Sequence, residues 1–308
     1  MTSNEPSGPD LKIDLKGLVL KNPVIAASGA FGYGLEFVPY LDLNRLGGFC
    51  TKGLSLKPKT GNPVPRMVET PSGMLNAIGL ENIGLEKFVE EKIPQLKEYE
   101  TRVIVNFFGD TVEEYVEMAK ALSEVGRVDA VEMNISCPNV SEGGVMFSSS
   151  SGIVQRVVAA VRSATKKFLI VKLSPNVTDI TETALAAESA GADALSVSNT
   201  HIGMAMNLET RKPFLANVKG GLSGPAIKPI CLYQVYQTSR AVKIPVIGIG
   251  GIASHEDALE FLMAGASAIQ VGTANFIDPT VTLKIIDGLR AWCEKNGVKS
   301  IAELKPSG

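Results

Sequence analysis

The chain has 308 residues, of which 45% are hydrophobic and 20% are charged, and its formal net charge is -2. These proportions predict a folded protein with a large buried core. The 30 basic and 32 acidic residues form no basic stripe and no polybasic cluster, which excludes the usual sequence features of nucleic-acid binding and of attachment to an anionic membrane. No run of about 18 apolar residues occurs, so no membrane span is predicted.

Residues 1–10 are polar, rich in Pro, Gly and Ser, and lack the apolar segment of a signal peptide. We therefore predict a flexible tail over residues 1–10 and a single domain over residues 11–308. The cysteines, Cys50, Cys137, Cys231 and Cys293, are scattered and form no C-x-x-C pair. This pattern predicts reduced thiols, a cytoplasmic protein, and neither an iron–sulfur cluster nor a metal site on this chain.

Short apolar runs alternate with amphipathic segments along the chain. A strand pair, residues 12–16 and 19–21 around Gly17, comes first. Eight nearly continuous apolar runs have the pattern of strands buried on both faces, and they cover residues 23–27, 48–52, 102–106, 130–134, 168–172, 194–198, 245–248 and 268–271. Capping residues and terminal glycines predict helices over residues 111–125, with Thr111 and Glu114 as a capping box, 181–190 and 254–264.

The alternation of strands and helices predicts an α/β protein with a parallel sheet, and eight repeats predict closure into a (β/α)8 TIM barrel. The initial strand pair is expected to be a short hairpin that closes the bottom of this barrel. The alternative is an open, doubly wound sheet. Such a sheet normally carries a G-x-G-x-x-G turn after its first strand, and the sequence SGAFGYG at that place lacks the spacing.

Polar residues and glycines follow the predicted barrel strands. They are Ser28, Lys52, Asn106, Asn134, Lys172, Asn199, Gly250, Gly251, Gly272 and Thr273. Because the carboxyl ends of barrel strands face the active site, this set predicts a functional pocket, and the long connection over residues 57–86 is expected to contribute a loop. The glycines in GIGGI and VGTAN indicate a phosphate site, which could serve a substrate or a cofactor such as FMN.

The motif NISCPN places Cys137 just after a predicted strand, on a loop that a proline constrains. A thiolate there could act as a nucleophile or as a general base. The alternative is a small buried side chain, which is the usual fate of a free cysteine. Cys50, Cys231 and Cys293 lie within apolar or helical patterns and are interpreted as structural.

The motifs together carry a family resemblance. They are KNPVIAASGAFGYG, CTKG, NAIGLEN, NISCPN, VKLSPN, SNT, GGLSGPAIKP, GIGGI and VGTANF. In this combination and order the chain resembles the class 1 dihydroorotate dehydrogenases from about Leu11 to Leu304, and the NAIGLEN form is most similar to the catalytic, FMN-containing subunit of subclass 1B.

The resemblance implies oxidation of dihydroorotate to orotate in pyrimidine biosynthesis. Cys137 would be the general base, a hydride would pass to FMN, and Lys52 would stabilise the charge that develops. The implied FMN contacts are Ser28, Lys52, Gly53, Asn106, Asn134, Lys172, Ser198, Gly224, Gly250, Gly251, Gly272 and Thr273. The implied substrate contacts are Lys52, Asn76, Ala77, Ile78, Gly79, Leu80, Asn134, Asn199 and Thr200. It also implies a homodimeric core and an electron-transfer subunit that carries FAD and a [2Fe-2S] cluster and passes electrons to NAD.

Some residues depart from the family pattern: Phe107 and Phe108 stand where smaller residues are usual, Ser198 replaces an apolar residue, and Ser148 replaces an expected glycine. Three other functions remain open at this point. They are an FMN barrel of the dihydropyrimidine dehydrogenase or glutamate synthase type, a partner-free class 1A enzyme that uses fumarate, and a phosphate-binding lyase or isomerase without redox chemistry.

Overall fold

A computed structural model of the chain describes residues 8–136, 141–142, 145–146 and 150–304. Its strands are β1 (Ile13–Asp14), β2 (Val19–Leu20), β3 (Val24–Ala26), β4 (Gly48–Cys50), β5 (Met67–Thr70), β6 (Gly73–Asn76), β7 (Arg102–Phe107), β8 (Ala130–Asn134), β9 (Ser141–Glu142), β10 (Val145–Met146), β11 (Phe168–Lys172), β12 (Ala194–Val197), β13 (His201–Gly203), β14 (Met206–Asn207), β15 (Lys212–Pro213), β16 (Gly220–Ser223), β17 (Val246–Ile249) and β18 (Ala268–Val271).

The central element is a closed barrel of parallel strands in the order β3, β4, β7, β8, β11, β12, β17 and β18, with β18 paired to β3. The predicted TIM barrel is therefore confirmed. Each predicted run corresponds to one barrel strand, with bounds that differ by at most two residues. Apolar side chains fill the strands because both faces are covered, by helices outside and by the barrel core inside.

The helices are α1 (Leu85–Lys87), α2 (Ile93–Leu96), α3 (Val112–Ser123), α4 (Ser151–Ala164), α5 (Ile180–Ser189), α6 (Lys228–Ala241), α7 (His255–Met263), α8 (Ala274–Ile277) and α9 (Val281–Asn296). A π-helical turn, Phe88–Lys92, joins α1 to α2, and 3-10 segments cover Leu35–Phe37, Leu43–Arg45, Pro225–Ile227 and Ile301–Leu304. Among the described residues, every helix is too short or too polar to form a transmembrane span.

Local capping explains where two of these helices begin. Ser254 and Asp257 form a complete capping box at the start of α7. At α3, Thr111 accepts a hydrogen bond from the Glu114 backbone N–H at 3.2 Å, as predicted. The expected reciprocal bond is wrong, because the Glu114 carboxylate accepts from the backbone N–H of Asp110 instead, at 2.6 Å. The cap still satisfies N–H groups that the helix leaves without partners.

The hairpin of β1 and β2 lies at the amino-terminal end of the barrel, as predicted. Gly17, at its turn, has φ +139°, and a Cβ there would lie 3.6 Å from the ring of Phe168, the first residue of β11. Arg102, the first residue of β7, donates to the Val19 carbonyl at 2.9 Å. Asp10, the last residue of the predicted tail, is bonded through its N–H to the Lys299 carbonyl at 2.9 Å.

A second sheet covers part of the carboxyl-terminal end of the barrel. It is antiparallel, in the order β13, β16, β6 and β5, and pairs Gly221 of β16 with Asn76 of β6. Residues 57–86 were predicted to be a loop, but β5 and β6 form a hairpin there. This sheet places the 76–80 segment against the mouth of the barrel.

Candidate active site

A cavity of about 980 Å³ opens at the carboxyl-terminal ends of the barrel strands. Its lining includes all of the predicted site residues that the structure describes: Ser28, Lys52, Gly53, Asn76, Ala77, Ile78, Gly79, Leu80, Asn106, Asn134, Lys172, Ser198, Asn199, Thr200, Gly224, Gly250, Gly251, Gly272 and Thr273. Cys137 lies outside the described residues, as does Ser148. One cavity therefore brings together residues from every barrel strand end and from β6.

A buried carboxylate lies beneath this cavity. Glu132, in β8, has 0% of its surface exposed. One of its oxygens accepts from Asn106 Nδ2 at 2.7 Å. The other accepts from Ser196 Oγ and from Gln270 Nε2, each at 2.7 Å. Lys172 Nζ lies 3.7 Å from the first oxygen. We call these five residues the Glu132 cluster.

The electrostatics of this cluster favour an ionised carboxylate. Burial raises the pKa of Glu132, because a charge is poorly solvated in the interior. The Lys172 ammonium and the hydrogen bonds from Ser196, Gln270 and Asn106 oppose burial and leave the pKa below its ordinary value. Glu132 is therefore an anion at neutral pH, and it balances the positive charge of Lys172 at the cavity.

Lys52 is a second cation at the cavity, directly after β4 and Thr51. Within the described part of the chain, its ammonium makes no hydrogen bond and no ion pair. Burial lowers the pKa of Lys52, Glu81 raises it and Arg66 lowers it, and the net result is a pKa below the ordinary value. A cation without a protein partner is available to an anionic ligand.

Hydrogen bonds fix the orientation of two predicted asparagines. Asn134 Oδ1 accepts from the Ser136 N–H at 3.1 Å, from Ser136 Oγ at 3.0 Å and from Asn199 Nδ2 at 3.3 Å. Asn199 Oδ1 accepts from the Thr200 N–H at 2.8 Å. The Tyr115 hydroxyl donates to the Asn134 carbonyl at 2.7 Å. These bonds hold the amides before any ligand arrives, which reduces the entropic cost of binding.

Glycines shape the far wall of the cavity. Gly251 has φ +74°, and a Cβ there would lie 2.8 Å from the Lys228 nitrogen and 2.9 Å from the Gly224 carbonyl oxygen. Gly250 has φ +126°, and a Cβ there would collide with the Cys231 sulfur. No carbonyl or side chain of the described residues accepts from the N–H groups of Gly251 and Gly272. A glycine-lined wall with free backbone N–H groups suits a phosphate.

The segment after β6 forms the opposite wall. The Ala77 N–H donates to the Arg66 carbonyl at 2.8 Å, and Asn62 donates through its backbone N–H to the Ile78 carbonyl at 2.9 Å. Gly79 and Leu80 both have positive φ, of 76° and 59°. The wall is thus built from backbone that the 57–66 segment holds in place.

The remaining cysteines and three of the residues that depart from the family pattern have clear places in the structure. Cys50, Cys231 and Cys293 are buried and unpaired, as expected. Phe107 and Phe108 are fully buried in the core and do not line the cavity. Ser198 lines the cavity and donates to Gln234 Oε1 at 2.9 Å, which accounts for a polar residue at this place.

The sequence matches the family model of dihydroorotate dehydrogenase over residues 10–292. The chain belongs to the dihydroorotate dehydrogenase family. It is 59% identical over 296 residues to the catalytic subunit of dihydroorotate dehydrogenase B (NAD(+)) of Pelobacter propionicus, with 96% of this chain and 97% of that protein covered. The corresponding protein of Parabacteroides distasonis is 54% identical over 295 residues, with the same coverage of 96% and 97%.

A solved structure shares the fold of this chain. It is a crystal structure of DHODH from Eimeria tenella in complex with ferulenol, with a TM-score of 0.78, 23% identity, and coverage of 99% of this chain and 90% of that one. The predicted resemblance to the class 1 enzymes, and most of all to the subclass 1B catalytic subunit, is confirmed by the sequence relatives.

Several polar residues near the cavity were not predicted from the sequence. Glu132, Ser196 and Gln270 lie inside predicted strands, where the apolar pattern hides them. Ser136 lines the cavity within the NISCPN motif. One local signal was available for Glu132, because a charged residue in an otherwise apolar barrel strand requires a buried partner.

Proposed function

We propose that this chain oxidises dihydroorotate to orotate as the catalytic subunit of a dihydroorotate dehydrogenase in pyrimidine biosynthesis. The observation that carries the proposal is the single cavity where two lysines, several oriented asparagines and a glycine wall meet. Family membership gives the substrate, since the relatives named above are dihydroorotate dehydrogenase B catalytic subunits.

The residues present fit an FMN cofactor. Gly224, Gly250, Gly251, Gly272 and Thr273 would hold its phosphate through backbone N–H groups. The buried Oδ1 of Asn106 accepts no hydrogen bond within the described residues, and a buried acceptor of this kind calls for a donor. Lys52 and Lys172 would face the ring system and stabilise negative charge on it. When bound, FMN supplies a two-electron acceptor for the hydride of the substrate.

The protein side chains would do the remaining chemistry. Cys137, as a thiolate, would remove the proton from C5 of dihydroorotate while the hydride leaves C6. Ser136, which precedes Cys137 in the sequence, lines the cavity. Asn76, Asn134 and Asn199 would bind the carboxylate and the alternating N–H and C=O groups of the ring.

The re-oxidation of the enzyme would require a second protein. The relatives are catalytic subunits of an NAD(+) enzyme, and this supports a partner subunit. We assign FAD and a [2Fe-2S] cluster to that partner, with NAD as the final acceptor. We further propose a homodimeric catalytic core, a cytoplasmic location, and one domain over residues 11–308 behind a flexible tail over residues 1–10.

An anaerobic absorbance spectrum of the purified chain, taken before and after dihydroorotate is added, tests the function. A flavin spectrum that bleaches supports both cofactor and substrate. A flavin spectrum that dihydroorotate leaves unchanged contradicts the substrate, and dihydrouracil is then the next compound to try. A colourless protein contradicts the FMN assignment. Full turnover with fumarate and no partner would instead identify a class 1A-type enzyme.

A further inference from the structure

Glu132 has no part in the chemistry proposed above, although it is a charged group at the centre of the barrel. It has 0% exposed surface, and it contacts two proposed FMN-binding residues, Asn106 and Lys172. A buried charge is costly unless it is paired and hydrogen-bonded, so a carboxylate at this place needs an explanation beyond packing.

The two oxygens of Glu132 have different tasks. One faces the proposed site, where it accepts from Asn106 Nδ2 at 2.7 Å and lies 3.7 Å from Lys172 Nζ. The other is held from below by Ser196 Oγ and Gln270 Nε2, each at 2.7 Å. The bonds from Ser196 and Gln270 hold the carboxylate in place, and the carboxylate in turn holds Asn106 and Lys172, which line the cavity.

The bond to Asn106 decides which end of that amide is left for a ligand. Because Nδ2 is bound to Glu132, Oδ1 is turned to the side of Gly53, where a Cβ would lie 2.8 Å from it. This oxygen is buried and accepts no hydrogen bond within the described residues. A carboxylate at position 132 therefore sets Asn106 as an acceptor, and it gives Lys172 a counter-charge.

The geometry points to Glu132 as a positioning residue for the proposed flavin site, where it orients Asn106 and limits the positive charge that Lys172 presents to the bound ring. The inference rests on the proposed function. Its consequence concerns the reduction potential, since reduction adds negative charge to the flavin and a bare ammonium stabilises that charge more than a balanced one. Glu132 thus keeps the potential of bound FMN lower than Lys172 alone would.

The variant Glu132→Gln tests this inference because it removes the charge and preserves the shape. The remaining carbonyl can still accept from Asn106. Gln270 Oε1 is buried without a partner, so a flipped Gln270 amide can accept from the new N–H group. Ser196→Ala is the matched control, since it removes one hydrogen bond to the carboxylate at 2.7 Å and leaves the charge.

The measurement is the midpoint potential of bound FMN, by anaerobic reductive titration against a reference dye, with thermal melting as the check of folding. We expect a more positive potential for Glu132→Gln and a smaller change, or none, for Ser196→Ala. Equal potentials in wild type and Glu132→Gln would overturn the inference, as would an equal shift in Ser196→Ala, because a loss of packing alone would affect both variants.

A lone buried ammonium is costly, so a second comparison removes both charges of the pair. Loss of a whole buried pair is tolerated better than loss of half of it. If Glu132 balances the Lys172 charge at the flavin, the double variant Glu132→Gln/Lys172→Gln, whose pair is also neutral overall, should keep a potential close to that of wild type, and a large fall in its potential overturns the inference. A wild-type chain that holds no flavin defeats the proposed function and this inference together, whereas a flavin-loaded wild type with an unshifted Glu132→Gln variant defeats only the inference.

Discussion

The two ends of the cavity differ in how firmly the chain holds them. At the inner end, the Glu132 cluster has Glu132, Ser196 and Gln270 at 0% exposure, joined by hydrogen bonds of 2.7 to 3.1 Å. At the outer end is the cavity rim, a name we use for five of the exposed lining residues, Met67, Glu81, Ile202, Phe276 and Ile277. Ile277 is 82% exposed there.

The difference shows where this fold places fixed chemistry and where it leaves freedom. In the Glu132 cluster, four side chains contact one buried carboxylate, so one substitution disturbs several contacts. On the cavity rim, solvent competes with most contacts, and substitutions there are expected to have small effects. Substitutions near the cluster should therefore have large effects on catalysis and on cofactor binding. Substitutions on the rim should have only small effects on either, or shift the pH dependence of catalysis.

The largest effect is expected from Cys137→Ala, which removes the proposed general base. Loss of a general base should slow reduction of bound FMN by dihydroorotate about 10²–10⁴-fold, while FMN stays bound. Anaerobic stopped-flow absorbance measures the rate. Cys293→Ala, a buried cysteine of α9, is the control and should reduce at the wild-type rate. Fast reduction in Cys137→Ala would rule out the base assignment.

A second large effect is expected at the glycine wall. Gly251→Ala places a side chain at φ +74° and 2.8 Å from the Lys228 nitrogen, a strain of about 1–3 kcal/mol. We expect the dissociation constant for FMN to rise about tenfold or more. Fluorescence quenching of FMN measures it. Gly126→Ala, where a Cβ would meet nothing within 4 Å, is the control. Unchanged FMN affinity in Gly251→Ala would count against a phosphate site at this wall.

A smaller effect should appear in the acid stability of the Glu132 cluster. The folded pKa of Glu132 lies below its ordinary value. Its ionisation therefore stabilises the fold above the unfolded pKa of about 4.3, and this contribution is lost as the pH falls towards the folded pKa. In urea unfolding, the free-energy difference between wild type and Glu132→Gln should shrink below about pH 4.3. A difference that stays constant with pH would contradict this assignment.

The sequence predicted the barrel and the strand-end residues because both have local signals. An apolar run that ends in Lys52 or Asn134 predicts both a buried strand and a polar residue at its carboxyl end. The Glu132 cluster has no such signal, because the partners of Glu132 lie as far as 138 positions away in the chain at Gln270. The second sheet pairs Gly221 with Asn76, which are 145 positions apart. The closed barrel brings the first set of residues together, and the second sheet brings the second pair together.

The smallest effect is expected from the rim variant Glu81→Gln, which tests whether the rim reaches the inner chemistry at all. Glu81 pairs with Arg66 at 2.5 Å, and both are partly exposed, so the pair adds only about 0–1 kcal/mol to folding stability. Its second influence is on Lys52, whose pKa burial lowers, Glu81 raises and Arg66 lowers.

Removal of the Glu81 charge should therefore lower the pKa of Lys52 further. If a protonated Lys52 stabilises the reduced flavin, the rate of flavin reduction should fall at a lower pH in Glu81→Gln than in wild type, with little change near pH 6. The measurement is the pH profile of the reduction rate, with Glu69→Gln on β5 as the control for a charge lost from the same hairpin. Superimposable profiles for all three proteins would mean that the charge of Glu81 on the rim does not influence Lys52 inside the cavity.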